Sequence, residues 1–156
     1  MPRPPRKLSR AVALRRGTNR HGNLRHLRMP SHRNAVGPAV ERILKAVAGA
    51  GLSHDQLLDF AVALAEALSN AAVHGNRLRP GSQVVITVQV APGRQAVVEI
   101  KDSGNGFNPV DVSDPTDPRH LLATRGRGVF LMQRLVDRVE YDPPGNRVRL
   151  IMHARH

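Results

Sequence analysis

The segment that most constrains this chain is a helix that is apolar nearly all the way round. Leu57, Leu58, Phe60, Ala61, Leu64, Ala65, Leu68 and Ala72 leave no broad polar face. Such a helix must be covered on more than one side, so it is expected to be central and buried. Ser53 with Gln56 forms a capping-box start, and His74-Gly75-Asn76 marks the stop. Yet Glu66, Asn70 and His74 recur at i, i+4 and i+8, along one stripe of this helix. A Glu and an Asn on a buried helix are costly unless something satisfies them. Neighbouring backbone is one candidate. A ligand is the other: an Asn carbonyl oxygen suits Mg²⁺, and a Glu one turn away can accept a proton from an attacking water or hydroxyl.

The remaining elements arrange themselves around this helix. Leu24 to Met29 reads as a short strand, and Arg33 to Ala50 as a helix with Val36, Val40, Ile43, Leu44 and Val47 on one face. Gln83 to Val90 alternates, and Gln95 to Lys101 follows a turn at Ala91-Pro92-Gly93-Arg94, which predicts a hairpin. A third helix is expected from about Gly128 to Asp137. Two final strands, Arg138 to Tyr141 and Arg147 to Met152, flank Pro143-Pro144-Gly145-Asn146. This order predicts an α/β fold: a two-layer α/β sandwich, with a mixed, mostly antiparallel sheet covered on one face by three helices.

Residues 102–127 are rich in Gly, Asp, Pro and Ser and read as a long loop. A loop of that length in a compact domain is usually functional. It opens with Asp102-Ser103-Gly104-Asn105-Gly106-Phe107 at a strand end, where an Asp can accept a hydrogen bond from an exocyclic amine and glycines let the backbone approach a flat ring. It closes with Arg125-Gly126-Arg127-Gly128-Val129-Phe130, a glycine turn entering a helix. The amides and positive dipole end of such a turn can face phosphate oxygens. Each string alone also reads as an ordinary turn.

The 156 residues suggest one domain, large enough to bury a core without staples. Cysteine is absent, which excludes disulfides and thiolate metal sites. No continuous apolar run approaches the roughly 20 residues of a membrane helix, so no membrane span is expected. The net charge of +12 is uneven. Residues 1–34 hold ten Lys or Arg and no Asp or Glu, whereas the rest holds fourteen basic and twelve acidic residues. Residues 1–22 therefore read as a basic, disordered extension and residues 23–156 as the folded domain. The extension is a solvated tail, a transit-peptide-like segment, or an arm for nucleic acid or an acidic partner. The rest has almost no aromatics for base stacking and no excess charge, so nucleic acid is expected at the tail alone.

Taken together, the three strings resemble the sequence boxes of the GHKL (histidine-kinase-like) ATPase superfamily, over about residues 24–153. Glu66 to Asn76 is similar to its N box, Asp102-x-Gly104-x-Gly106 to its first glycine box, and Gly126-x-Gly128 to its second. Within it, Glu66-Ala-Leu-Ser-Asn70-Ala-Ala-Val-His74-Gly75-Asn76 resembles the bacterial anti-sigma-factor serine/threonine kinases, as does a short lid between residues 107 and 125. The resemblance implies a Bergerat-type ATP-binding fold, ATP and Mg²⁺, and a cytoplasmic location. It implies Glu66 as catalytic base, Asn70 as the Mg²⁺ ligand, Asp102 as the adenine contact, and Gly104, Gly106, Gly126 and Gly128, with the adjoining Arg125, Arg127 and Val129, around the nucleotide. His74 either lines the nucleotide or caps the helix. The implied partners are a sigma factor and a STAS-type anti-anti-sigma factor, with a second copy in a homodimer. One departure is Gly145-Asn146-Arg147, where the family carries a small hydroxyl residue near adenine.

Two other readings remain. The catalytic half of a two-component histidine kinase would need a phosphoacceptor His, and the 33–50 helix has none in its interior. A non-catalytic ATP-binding regulator would not need Glu66.

Overall fold

The computed structural model of the chain describes residues 23–106 and 124–156. The basic extension and most of the expected lid lie outside the described residues. In chain order the elements are β1 (Asn23–Pro30), α1 (Val36–Ala46), α2 (His54–Asn70), β2 (Gln83–Ala91), β3 (Gln95–Lys101), α3 (Thr124–Leu135), β4 (Arg138–Asp142) and β5 (Arg147–His153). Short 3₁₀ turns flank α1, so the expected 33–50 helix is regular only in its middle.

The strands form one sheet in the order β1-β2-β3-β5-β4. All four neighbouring pairs are antiparallel, so the parallel component of a mixed sheet is absent among the described residues. The connections explain this. Two helices between β1 and β2 bring the chain back reversed. The single helix α3 leaves β3 and β4 pointing the same way, and β5 inserts between them, antiparallel to both.

Alternation puts one side of β2 and β3, and much of β5, inward. Val84, Ile86, Val88 and Val90 of β2, Ala96, Val98 and Ile100 of β3, and Val148, Leu150 and Met152 of β5 are buried against Ile43, Phe60, Leu64, Leu68 and Met132 of the helices. The opposite face carries an ion-pair network. Arg149 donates to Glu99, Glu140 and Asp142, its Nη2 lying 2.6 Å from Asp142 Oδ1. Burial disfavours the Arg149 charge, but the hydrogen bond and charge of Asp142, with Glu99 and Glu140, outweigh it and raise its pKa above the ordinary value.

The central helix is as expected in position but not in coverage. α2 packs on α3, α1 and β5, yet Leu58 and Val62 in its first half and middle are 55% and 46% exposed. Its capping box is present: the Ser53 hydroxyl accepts from Gln56 N–H and Gln56 Oε1 accepts from Ser53 N–H. Gln56 Nε2 also donates to the His153 carbonyl at 2.7 Å, which pins the helix start to the end of β5. The helical stretch His54–Gly75 spans 22 residues and is apolar enough, by length and composition, to cross a membrane. Continuous apolar runs do not reveal this, because Glu66 and Asn70 interrupt them. Its buried face belongs to the domain core, which accounts for much of the composition.

Candidate functional site

The helix carrying Glu66 and Asn70 does not simply end. From Ala71 to Gly75 it widens into a π turn, closed by Asn76 N–H donating to the Ala71 carbonyl at 2.8 Å. A π turn carries more residues per revolution, so it rotates the later residues relative to an α-helical wheel. The i, i+4, i+8 stripe is broken after Asn70. Asn70 lines one pocket, while His74 is exposed and lines a second cleft.

The pocket is small and open, with a cavity volume of about 20 Å³. Asn70 and Ala71 of the helix, Asp102, Met132 of α3, Tyr141 of β4 and Asn146 of the final turn are among its walls. Asp102 sits where β3 ends, and the loop there is held tightly. Its backbone N–H donates to the Asn146 carbonyl at 3.0 Å. Its Oδ1 accepts from Gly104 N–H at 2.7 Å. Asn146 Nδ2 reaches the Gly104 carbonyl at 3.4 Å. Asn146 thus takes part in the pocket, chiefly through its main chain, which a different residue type could also supply. Arg147 lines the pocket as well.

Several glycines, Gly75 and Gly106 among them, are dictated by close approach. A β-carbon on Gly75 would collide with the Asp102 carboxylate, and one on Gly106, whose φ is +77°, would collide with the Pro144 carbonyl. Gly75 thus lets the π turn touch Asp102, and Gly106 lets the loop pass the final turn.

α3 starts at Thr124, earlier than the glycines suggest. Gly126 and Gly128 therefore lie inside the helix rather than in a turn before it. Glycine disfavours helix, which is why the sequence points to a later start; packing against α2 overrides that preference. Gly126 and Arg127 are among the four leading amides a helix leaves unbonded, and Gly128 is one position beyond. Gly128 is instead a contact point. A β-carbon there would stand 2.8 Å from Glu66 Oε2 and 3.2 Å from Asn70 Nδ2. Glu66 and Asn70 thus meet the start of α3 together. Val129 is buried in the core, Arg127 is exposed, and the Arg125 side chain lies outside the described part of the helix.

The second cleft, about 320 Å³, lies across the glycine loop and is lined by His74, Gly75, Arg77, Arg79 and residues 103–106. Arg77 and Leu78 there both have φ of +52°, a left-handed conformation uncommon outside glycine. Tyr141 and Met132 are site residues that sequence reasoning misses. They continue the apolar inner face of the sheet and α3, so they read as core.

Residues 29–152 match the histidine kinase-like ATPase domain family. The chain belongs to that family. It is also 30% identical over 95 residues to a serine-protein kinase RsbW from Bacillus licheniformis, a match covering 57% of this chain and 59% of that protein. The antiparallel sheet and the three helices among the described residues are that family's two-layer α/β fold as this chain builds it.

Proposed function

We propose that the domain binds ATP with Mg²⁺ and transfers the γ-phosphoryl group to a serine of a partner protein. The observation that carries this reading is the convergence of three chain segments. Asn70 and Asp102 line one pocket, and Glu66 meets Asn70 at Gly128. The similarity to a serine-protein kinase supports the same reaction class.

Each residue then has one task. The Asp102 carboxylate accepts the adenine amine. Asn70 presents a neutral carbonyl oxygen to the metal. Among the described residues no group of three His, Cys, Asp or Glu gathers, and a site with so few protein ligands suits a Mg²⁺ that keeps water and phosphate oxygens. When bound, Mg²⁺ neutralises phosphate charge. Glu66 takes the proton as the serine oxygen bonds to the γ-phosphorus and ADP leaves. Most of the rate enhancement comes from positioning.

By resemblance the serine belongs to a STAS-type anti-anti-sigma factor, the sequestered partner is a sigma factor, and the reaction is cytoplasmic. The test is transfer of label from γ-labelled ATP to such a partner. An acid-stable phosphoserine is the expected product. An acid-labile phosphohistidine on this chain would favour the histidine-kinase reading.

A further inference from the structure

Asn76 lies where the π turn ends, and it is fully buried, at 0% exposure. Its side chain is bonded in three directions. Nδ2 donates to the Ser31 hydroxyl at 2.8 Å and to the Gln83 carbonyl at 3.1 Å. Oδ1 accepts from Ser103 N–H at 2.7 Å. The partners fix the orientation of the amide. Reversing it would face oxygen to the Gln83 carbonyl and an NH₂ to the Ser103 N–H, losing both bonds.

Ser31 follows β1 and Gln83 begins β2, so two of these bonds are to the scaffold. The third is to the residue directly after Asp102. Asn76 therefore ties the glycine loop to the end of the very helix that carries Glu66 and Asn70. On the other side the loop is held by Asn146, through the Asp102 N–H. The two asparagines grip residues 102–104 from opposite flanks, and Gly75 sets how closely the loop approaches the helix.

We propose that Asn76 is a positioning residue of the nucleotide site. It holds Asp102 in register with Asn70, so that base contact and metal ligand face one pocket. The inference rests on the nucleotide-binding reading above.

The test is calorimetric titration of ADP into the wild type, Asn76→Ala, Asn76→Asp and Ser31→Ala, with thermal unfolding measured alongside. Asn76→Ala and Ser31→Ala each remove buried hydrogen bonding from this cluster and should both unfold at lower temperature. Only Asn76→Ala frees Ser103, so it alone should weaken ADP binding, by roughly tenfold. Asn76→Asp keeps an acceptor for Ser103 but opposes the Gln83 carbonyl. It should lose stability yet bind ADP within about threefold of wild type. It also decides the matter if Asn76→Ala does not fold. Unchanged affinity in folded Asn76→Ala overturns the proposal. So does an equal loss in Ser31→Ala, or a tenfold loss in Asn76→Asp. If the wild type itself binds no ADP, the nucleotide reading falls and the proposal with it.

Discussion

Gly128 of α3 faces Glu66 of α2 so closely that a β-carbon on it would stand 2.8 Å from the Glu66 carboxylate oxygen Oε2. The same carbon would be 3.2 Å from Asn70 Nδ2. Gly128→Ala therefore pushes two site residues at once. We expect a loss of about 1–2 kcal/mol in stability from overpacking, and a larger proportional loss of phosphoryl transfer. Thermal unfolding and a transfer assay measure the two effects; a fully active, fully stable variant would show that α3 does not abut the pair.

Glu66→Gln keeps the shape of the side chain and removes its basicity. Transfer to a serine substrate should fall by roughly 10²–10⁴-fold, while ATP affinity stays close to wild type. Transfer at the normal rate would mean that another group takes the proton.

How far the site is legible in the sequence differs residue by residue. The capping box at Ser53 and Gln56, the β2–β3 hairpin and the central placement of α2 stem from local chemistry and periodicity, and the structure has all three. The position of His74 does not, because a π turn leaves no mark in the pattern of apolar residues. The start of α3 is hidden because Gly126 and Gly128 argue against helix locally, and only contact with Glu66 and Asn70 explains glycine at 128. Asn76 reads as a helix stop, although its main work is done by side-chain bonds to residues 45 positions before it and 27 after. Asn146 reads as a departure from its family, yet its backbone carbonyl is what holds the Asp102 amide.

Gly75→Ala should be one of the most damaging small substitutions outside the core. Its new methyl has to displace the Asp102 carboxylate, which costs about 1–3 kcal/mol by overpacking and moves the proposed base contact. Loss of ADP binding together with a lower unfolding temperature is the expected pair of results. Retained affinity would separate Asp102 from the nucleotide.

Arg149→Met tests the opposite face of the sheet. It leaves Glu99, Glu140 and Asp142 together without their central cation. The three carboxylates keep some solvent access, so we expect a loss of about 2 kcal/mol, below that for a fully buried pair. Because the Arg149 pKa is raised, the stabilisation is fully present from neutral pH up to its ordinary pKa and is lost as pH climbs through the raised one. The deficit should therefore be the same at neutral and mildly alkaline pH in denaturant melts. ADP affinity should not change.

The central claim is that Asn70 and Asp102 share a pocket for ATP and Mg²⁺, and titration calorimetry of ATP tests it most directly. Asp102→Asn is the informative variant. Its amide replaces one acceptor oxygen by an NH₂ donor, which opposes an exocyclic amine and weakens the proposed base contact. The wild type should bind ATP, and more tightly with Mg²⁺ than without. Asp102→Asn should bind at least roughly tenfold more weakly. A wild-type protein that takes up no ATP with or without Mg²⁺, or an Asp102→Asn variant that binds as the wild type does, would contradict the account.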